Sequence, residues 1–178
     1  MSYVYFVRHG ETFWNVENKI CGATDIALTE KGHLQAIETG EKILSLGIKA
    51  DEILHSPLIR AADTAKHISE ITGIPMRTEP RLTEQRFGKW EGTPRTAADF
   101  KAAKELFATK HDGGESTLQL AQRIFNLLDE LKKDSDKTYI LVAHNGIARV
   151  VHAYFNDLSN SEYASFGIKN CEILKYEF

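Results

Sequence analysis

Short apolar runs alternate along this chain with longer segments in which apolar residues recur every three or four positions. The runs have the length of buried strands, and the longer segments have the period of amphipathic helices. The pattern predicts five strands, at Tyr3–Arg8, Glu52–His55, 76–79, Thr138–Ala143 and 171–176. Strands that alternate with helices indicate an α/β fold of three layers, α/β/α, in which helices cover both faces of a mostly parallel central sheet.

Capping and turn residues mark the ends of the predicted helices. Thr29 is a typical N-cap and Gly47 a typical C-terminal residue, and Leu34, Ile37 and Leu44 recur at helical spacing between them. Further helices are predicted at 56–73, 97–109, 116–131 and 147–155.

Two of these helices have specific start signals. Ser56 is expected as the N-cap of the second helix, with Pro57 at its first position. Ser116 and Gln119 form a capping-box pattern before the fourth helix. Thr138–Ala143 is the most hydrophobic run and is expected at the centre of the sheet, whereas 171–176 is expected at an edge.

Composition narrows the class of protein. The 178 residues include 42% apolar and 26% charged residues, which is ordinary for a globular protein, and the net charge is −3. We find no repeat, linker or low-complexity segment, so residues 1–178 are predicted to form a single domain. Without a basic run, nucleic acid and anionic membranes are not expected as general partners.

The same features give an expected location. No stretch approaches the roughly 18 apolar residues of a membrane span, and no secretory leader precedes the first strand. Cys21 and Cys171 are far apart in sequence and fit reduced thiols. These features predict a cytoplasmic protein.

Chemistry is indicated where the predicted strands end. The first strand ends in Arg8, His9 and Gly10, and the central strand ends in His144. Neighbouring strand ends in such folds converge on one cleft, so two imidazoles can face one ligand. Arginine matches phosphate oxygens with a fork of donors, histidine can carry a phosphoryl group covalently, and glycine lets an anion approach the backbone.

Arg60 lies one turn into the helix after the second strand, near a helix N-terminus that favours anions. Arg8, Arg60 and one protonated histidine would oppose the charge of a phosphate dianion. This clamp could support phosphoryl transfer without a metal ion.

The ordered set of motifs resembles the histidine phosphatase superfamily, the phosphoglycerate-mutase-like proteins. The matching stretches run from residue 3 to about residue 150. They are Arg8-His9-Gly10-Glu11-Thr12 with Asn15; Gly22, Asp25, Leu28-Thr29 and Gly32; Ser56-Pro57-Leu58, Arg60-Ala61 and Thr64-Ala65; Leu82-Thr83-Glu84 with Phe87-Gly88-Lys89-Trp90-Glu91-Gly92; Gly114-Glu115-Ser116; and Val142-Ala143-His144-Asn145-Gly146.

The resemblance implies roles for individual residues. His9 would be the nucleophile that forms a phosphohistidine, with its other ring nitrogen held as a donor by a backbone carbonyl. Glu84 would be the general acid for the leaving oxygen and then the base for water, so it must hold a proton near neutral pH.

Four further residues would bind the phosphoryl group on the same resemblance. Arg8, Arg60 and His144 would contact its oxygens and stabilise the transition state, and Asn15 would donate another hydrogen bond. No metal ion and no cofactor are implied.

The chain also departs from the family pattern. Cys21 precedes Gly22 where many phosphatase members have Gln, and mutase members tend to have a small residue there. Asn145 stands where Gly is commoner, and its side chain could reach the rim of the pocket. His55 replaces a usual Ser. We therefore assign Cys21, Gly22 and Asn145, together with Glu84, to the substrate pocket.

These observations predict metal-independent hydrolysis of a small cytosolic phosphomonoester through a phosphohistidine. The alternative is a cofactor-dependent phosphoglycerate mutase, and a phosphoryl-binding protein with a dead site is a third interpretation. The segment 93–112 is short for a lid, which favours hydrolysis because water is poorly excluded, whereas Cys21 mildly favours the mutase.

The substrate and the oligomeric state stay open at this point. Five loop cations could meet a second acidic group, or could be solvated surface residues, which is favoured for each one singly. They are Lys19, Arg86, Lys89, Arg95 and Lys101.

Overall fold

A computed structural model describes residues 2–178, and Met1 lies outside the described part. One five-stranded sheet has the order β3-β2-β4-β1-β5, in which β5 runs antiparallel to β1 and the other pairs are parallel. The strands are Tyr3–Arg8 (β1), Glu52–His55 (β2), Met76–Thr78 (β3), Thr138–Ala143 (β4) and Ile173–Glu177 (β5). The expected central position of Thr138–Ala143 and the edge position of the last strand are confirmed.

Helices connect and cover these strands. They are Phe13–Val16 (α1), Glu30–Ser45 (α2), Ile59–Thr72 (α3), Ala98–Ala103 (α4), Thr117–Leu131 (α5), Asn145–Phe155 (α6) and Asn160–Ser165 (α7). Single 3₁₀ turns occur at Pro80–Leu82 and Gly88–Trp90. Within residues 2–178, no helix combines the length and the apolar character that crossing a membrane demands.

The alternating pleat of the strands supplies two apolar faces. Val4 and Phe6 of β1 pack into the cluster that contains α5 and α6, whereas Val7 packs with α3 and with Ile43 of α2. Because successive strand side chains point to opposite faces, one strand serves both layers. The three-layer α/β arrangement is therefore confirmed.

Strand register brings the two histidine-containing turns together. β1 and β4 are parallel neighbours, with Arg8 opposite Ala143, so His9 and His144 follow at adjacent strand ends. The His9 N–H donates to the Ala143 carbonyl at 3.0 Å, which fixes the turn to the end of β4.

The predicted start of the second helix is wrong by two residues. Leu58, not Ser56, is the N-cap of α3, and it makes no side-chain cap bond. Asp25, far away in sequence, accepts a hydrogen bond from the Ile59 N–H at 2.8 Å and supplies the missing acceptor. Ser56 is buried instead beside His144, where its hydroxyl has another use.

Other boundaries also differ from the prediction, by up to six residues. The helix expected at 97–109 ends at Ala103 in a series of turns, and the helix expected from 147 begins at Asn145. The last strand is Ile173–Glu177 because Cys171 takes a left-handed conformation, with φ of 59°, that a strand does not accommodate.

The leucines of α2 do not lie on its buried face. Leu34 and Leu44 are 56% and 52% exposed, whereas Gly32, Gly40 and Ile43 are buried. Small residues allow α2 to lie close to α3, so the face that packs is poor in large apolar side chains and gives a weak periodic signal.

Candidate active site

A cavity of about 220 Å³ opens at the carboxyl ends of β1 and β4. Six of the nine sequence-predicted site residues line it: Arg8, His9, Asn15, Cys21, Glu84 and Asn145. The remaining lining residues are Ile20, Phe87, Arg95, Phe100, Lys104, Gly146 and Arg149. The other three predicted residues, Gly22, Arg60 and His144, do not line this cavity.

His9 is buried and held in one orientation. Its Nδ1 lies 2.7 Å from the Gly10 carbonyl oxygen, so Nδ1 carries the proton and Nε2 is left with a lone pair. Burial lowers the pKa of His9 well below its ordinary value, and the charges of Arg60 and Arg8 lower it further. A neutral imidazole with a free Nε2 is the nucleophilic form of histidine.

His144 lies beside His9, with ring centroids 5.2 Å apart. Its Nε2 is 2.7 Å from the Ser56 hydroxyl, and its buried Nδ1 has no hydrogen-bond partner among the described residues. When the Ser56 hydroxyl donates, Nδ1 carries the proton and becomes a donor for an anion.

The charge state of this pair differs from the expectation of one protonated histidine. Burial lowers the pKa of His144 well below its ordinary value, and Arg60 and His9 add to this effect. Both rings are therefore neutral near pH 7 in this structure, and a bound dianion would have to favour the proton on His144.

Two buried arginines supply the positive charge instead. Arg60 is 1% exposed and donates to the carbonyls of Thr24 and Gly22, at 2.9 and 2.7 Å. Arg8 donates to the Ile168 carbonyl. The Nε atoms of both guanidinium groups are buried without a partner among residues 2–178. Unpaired buried donors are costly unless an anion meets them, so they indicate an anion site.

Glu84 reaches the same cavity from the loop after β3. It is 4% exposed, and its two oxygens accept hydrogen bonds from the N–H groups of Gln85 and Gly146, at 2.8 and 3.0 Å. A Cβ at Gly146 would overlap the Glu84 carboxyl group, so only glycine permits this approach. The first turn of α6 thereby fixes the carboxyl group.

Asn15 is anchored at the start of α1 and by a residue near the end of the chain. Its Oδ1 accepts from the Thr12 N–H at 3.0 Å and from Nδ2 of Asn170 at 3.2 Å. Asn170 Nδ2 also donates to the His9 carbonyl, at 2.9 Å. Because Oδ1 takes both bonds, the Asn15 Nδ2 group is oriented as a donor.

The segment 166–171, which we call the C-terminal strap, is tied to the site at several points. Asn145 Oδ1 accepts from the Ile168 N–H at 2.9 Å, and Arg149 Nε donates to the Phe166 carbonyl at 2.8 Å. The Cys171 N–H donates to the Arg8 carbonyl at 2.9 Å. Asn145 therefore reaches the pocket rim, as expected, and also positions the strap.

Cys21 and Gly22 contribute differently. Cys21 lines the cavity, and burial raises the pKa of its thiol, which leaves it protonated. Gly22 acts through its carbonyl on Arg60, and a Cβ there would lie 2.5 Å from the Gln85 carbonyl oxygen. Among the described residues, no three His, Cys, Asp or Glu side chains are grouped as a metal site.

Only one of the five flagged loop cations lines the cavity, namely Arg95. Lys104 and Arg149, which were not predicted from the sequence, also line the cavity. Arg149 follows Asn145 by one helical turn, so the i, i+4 spacing on α6 is a signal that could have identified it. Lys104 follows the short helix α4, and no local pattern marks it.

The other four flagged cations lie elsewhere. Lys19 pairs with Glu17, and Lys89 pairs with Asp112 at 3.1 Å. Lys101 and Arg86 are exposed and do not line the cavity. For these four residues the solvated-surface interpretation fits the structure.

Sequence relatives include two named activities. The chain is 32% identical over 185 residues to the probable phosphoglycerate mutase GpmB of Erwinia tasmaniensis, which covers 99% of this chain and 85% of that protein. It is 32% identical over 177 residues to glucosyl-3-phosphoglycerate phosphatase of Mycobacterium tuberculosis, which covers 90% of this chain and 78% of that protein.

Solved structures match the fold over nearly all of the chain. Mycobacterial glucosyl-3-phosphoglycerate phosphatase in complex with VO3 superposes with a TM-score of 0.85 and 29% identity, over 97% of this chain and 90% of that one. A phosphoserine phosphatase mutant of Entamoeba histolytica, in complex with phosphoserine, has a TM-score of 0.84 and 29% identity, over 100% and 91%.

A family comparison covers the same region. The model that matches residues 4–178 describes the histidine phosphatase superfamily, branch 1. The match spans both histidine-containing turns, the Glu84 loop and the buried arginines. This chain belongs to the histidine phosphatase superfamily.

Proposed function

We propose that the protein hydrolyses small phosphomonoesters without a metal ion, through a phosphohistidine on His9. One observation carries this proposal: a neutral His9 with a free Nε2 occurs together with buried nitrogens of Arg8, Arg60 and His144 that have no hydrogen-bond partner within residues 2–178. The two arginine nitrogens are donors, and His144 Nδ1 is a donor when the Ser56 hydroxyl donates to Nε2. A phosphoryl group at His9 would accept hydrogen bonds from these donors. The positive charges of Arg8 and Arg60 would compensate its negative charge.

In the first step, Nε2 of His9 attacks phosphorus while the bond from phosphorus to the ester oxygen breaks. Arg8, Arg60, His144 and Asn15 hold the phosphoryl oxygens, whose charge is spread in the transition state. Glu84 gives its proton to the departing alcohol oxygen.

In the second step, the phosphoryl group passes to water. The Glu84 carboxylate takes a proton from the water molecule as its oxygen attacks phosphorus, and the bond between phosphorus and Nε2 breaks. Phosphate leaves, Glu84 is protonated again and His9 regains its lone pair. The Nδ1–H bond to Gly10 holds the same tautomer throughout.

The alternative is return of the phosphoryl group to a substrate hydroxyl, as in a phosphoglycerate mutase. The 32% identity to a probable phosphoglycerate mutase over 99% of this chain favours it. The short helix α4 argues against the mutase. It has only six residues, so the segment that could cover the site and exclude water is small. The free thiols of Cys21 and Cys171 fit a cytoplasmic setting for either reaction.

Phosphate release from an aryl phosphate in the presence of EDTA tests the proposal. We expect turnover by the natural protein and a loss of at least about 10³-fold in His9→Ala, because the nucleophile is removed. His33→Ala, which changes a histidine on α2 outside the cavity, serves as the matched control and should retain turnover.

Three other results would contradict hydrolysis through His9. They are turnover by His9→Ala, loss of turnover in EDTA, and absence of an acid-labile phosphoryl adduct on the His9 peptide after rapid quenching. Phosphoryl transfer from a bisphosphate primer to phosphoglycerate, faster than phosphate release, would identify the mutase instead.

A further inference from the structure

Three cations line the cavity in addition to Arg8. Arg95 follows the 3₁₀ turn at Gly88–Trp90, Lys104 follows α4, and Arg149 lies on α6. Glu84 is the one carboxylate among the lining residues of this cavity. We call Arg95, Lys104 and Arg149 the basic arm.

Backbone carbonyls, not carboxylates, hold the basic arm in place. Arg95 Nε donates to the Lys19 carbonyl at 2.8 Å, Arg149 Nε to the Phe166 carbonyl at 2.8 Å, and Lys104 Nζ to the Ala164 carbonyl at 3.3 Å. Among the described residues, none of the three forms a salt bridge. The carbonyl contacts orient the cations but leave their charge unneutralised.

The cations also repel one another. Burial lowers the pKa of Lys104, and the charges of Arg149, Lys101 and Arg95 lower it further. Burial likewise lowers the pKa of Arg95, to which Arg149 contributes. The three cations are partly buried, and the charge of Glu84 offsets the repulsion at Arg95 and Arg149 only in part, so an anion that bound there would relieve the remaining repulsion.

The phosphoryl group does not account for this charge. Arg8 and Arg60, with two neutral imidazoles, already oppose the two charges of a phosphate ester. Phe87 and Phe100 lie in the same wall of the cavity, where they exclude water and strengthen charge interactions. With Arg8 assigned to the phosphoryl group, the three cations of the basic arm still face one lining carboxylate, Glu84, and this leaves an excess of positive charge.

We propose that the basic arm binds a second anionic group on the leaving alcohol, so that the preferred substrates are small phosphomonoesters with a carboxylate or second phosphate. A cavity of about 220 Å³ lies below the roughly 300–1,000 Å³ of sites for drug-sized ligands, which favours a compact ester. This inference rests on the proposed hydrolysis for its substrate class, but the binding preference can be measured without turnover.

Calorimetric titration of His9→Ala protein provides that measurement. Glycerol 3-phosphate and 3-phosphoglycerate are a matched pair that differs in one terminal group, hydroxymethyl or carboxylate, and glycerol 1,3-bisphosphate tests a second phosphate. We expect at least one doubly anionic ligand to bind about tenfold more tightly than glycerol 3-phosphate, and its identity distinguishes the two sources.

Lys104→Met in the same background should reduce that preference to about threefold or less. Lys89→Met is the matched control, because it removes an equal charge from an exposed residue outside the cavity and should retain the full preference. Arg95→Gln provides a second variant that acts from a different segment and should also reduce the preference.

Equal affinities for all three ligands would overturn the inference. A preference that survives both Lys104→Met and Arg95→Gln would also overturn it. If the preference appears but the natural protein releases no phosphate from any ester, the second-anion site stands and the proposed hydrolysis fails, so the two failures are distinguishable.

Discussion

At the level of single residues, hydrogen bonds to the two site histidines determine which of their ring nitrogens can contact a ligand. The Gly10 carbonyl accepts a hydrogen bond from the Nδ1–H of His9, and the Ser56 hydroxyl is hydrogen-bonded to Nε2 of His144. One nitrogen of each ring is thereby left for the ligand. The predicted backbone acceptor for His9 is confirmed. The predicted role of Ser56 as the N-cap is wrong because α3 begins after Leu58; the Ser56 hydroxyl accepts from the Leu58 N–H at 3.3 Å and bonds to His144.

Local patterns explain which site residues the sequence could predict. Arg8 and His9 follow a strand directly, and Asn145 opens a helix, so each lies within a few residues of a recognisable end. Asn170 is 155 positions from Asn15, and only the fold brings their side chains within 3.2 Å. No periodic or turn signal encodes such a contact.

Asn170 acts as a positioning residue, and Asn170→Ala should lower kcat by about tenfold with a smaller change in KM. The reason is that loss of its amide frees both Asn15 and the His9 carbonyl, which misaligns groups that act in the transition state. Steady-state kinetics on an aryl phosphate measures the effect.

A double substitution distinguishes positioning from general destabilisation. Asn170→Ala should add little to the defect of Asn15→Ala, because both changes disrupt one hydrogen-bonded unit. Asn160→Ala, at an exposed position of α7, is the control. Fully additive defects, or an unchanged kcat in Asn170→Ala, would contradict this role.

At the level of elements, close backbone approach replaces large apolar contacts between Gly10 and Glu11, which follow β1, and Gly32 of α2. A Cβ at Gly32 would overlap the Glu11 carbonyl oxygen, which is backbone and cannot move aside. A Cβ at Gly40 would lie 2.9 Å from Cδ1 and 3.1 Å from Cβ of Ile71, which are side-chain atoms of a residue on α3. The helix was predictable from Thr29 and Gly47, but its packed face was not.

Gly32→Ala should destabilise the protein by about 2 kcal/mol, in the range typical of overpacking. Gly40→Ala should cost less than Gly32→Ala, because the added Cβ meets side-chain atoms of Ile71 instead of backbone, and alanine stabilises a helix by roughly 0.5–1 kcal/mol relative to glycine. Urea denaturation, followed by circular dichroism, measures both free energies of unfolding. Equal effects of the two substitutions would show that contact with the Glu11 backbone does not control this interface.

At the level of the whole molecule, the charge of the cavity opposes that of the chain. The net charge is −3, yet four cations and one carboxylate line the cavity. The net charge and the absence of a basic run argued against a broadly basic surface, but they did not indicate which cations would meet. Arg95, Lys104 and Arg149 meet only because the segments after Glu84 and after β4 fold over the same strand ends.

The burial of neutral histidines also links the stability of the whole molecule to pH. The pKa values of His9 and His144 are lowered well below the ordinary 6.5. Below pH 6.5, the unfolded chain binds protons at these residues and the folded chain does not. The free energy of unfolding should therefore fall by up to about 1.4 kcal/mol per pH unit for each histidine.

Urea denaturation at pH 7.5, 6.5 and 5.5 tests this linkage. The stabilising contribution should be present above pH 6.5 and should decrease as the pH falls below it, before most carboxylates titrate. His9→Gln removes one of the two groups, so its unfolding free energy should fall less steeply between pH 6.5 and 5.5, by up to about 1.4 kcal/mol over that unit. Parallel pH profiles for the two proteins would mean that folding does not lower the pKa of His9, so burial would not be what keeps this imidazole neutral.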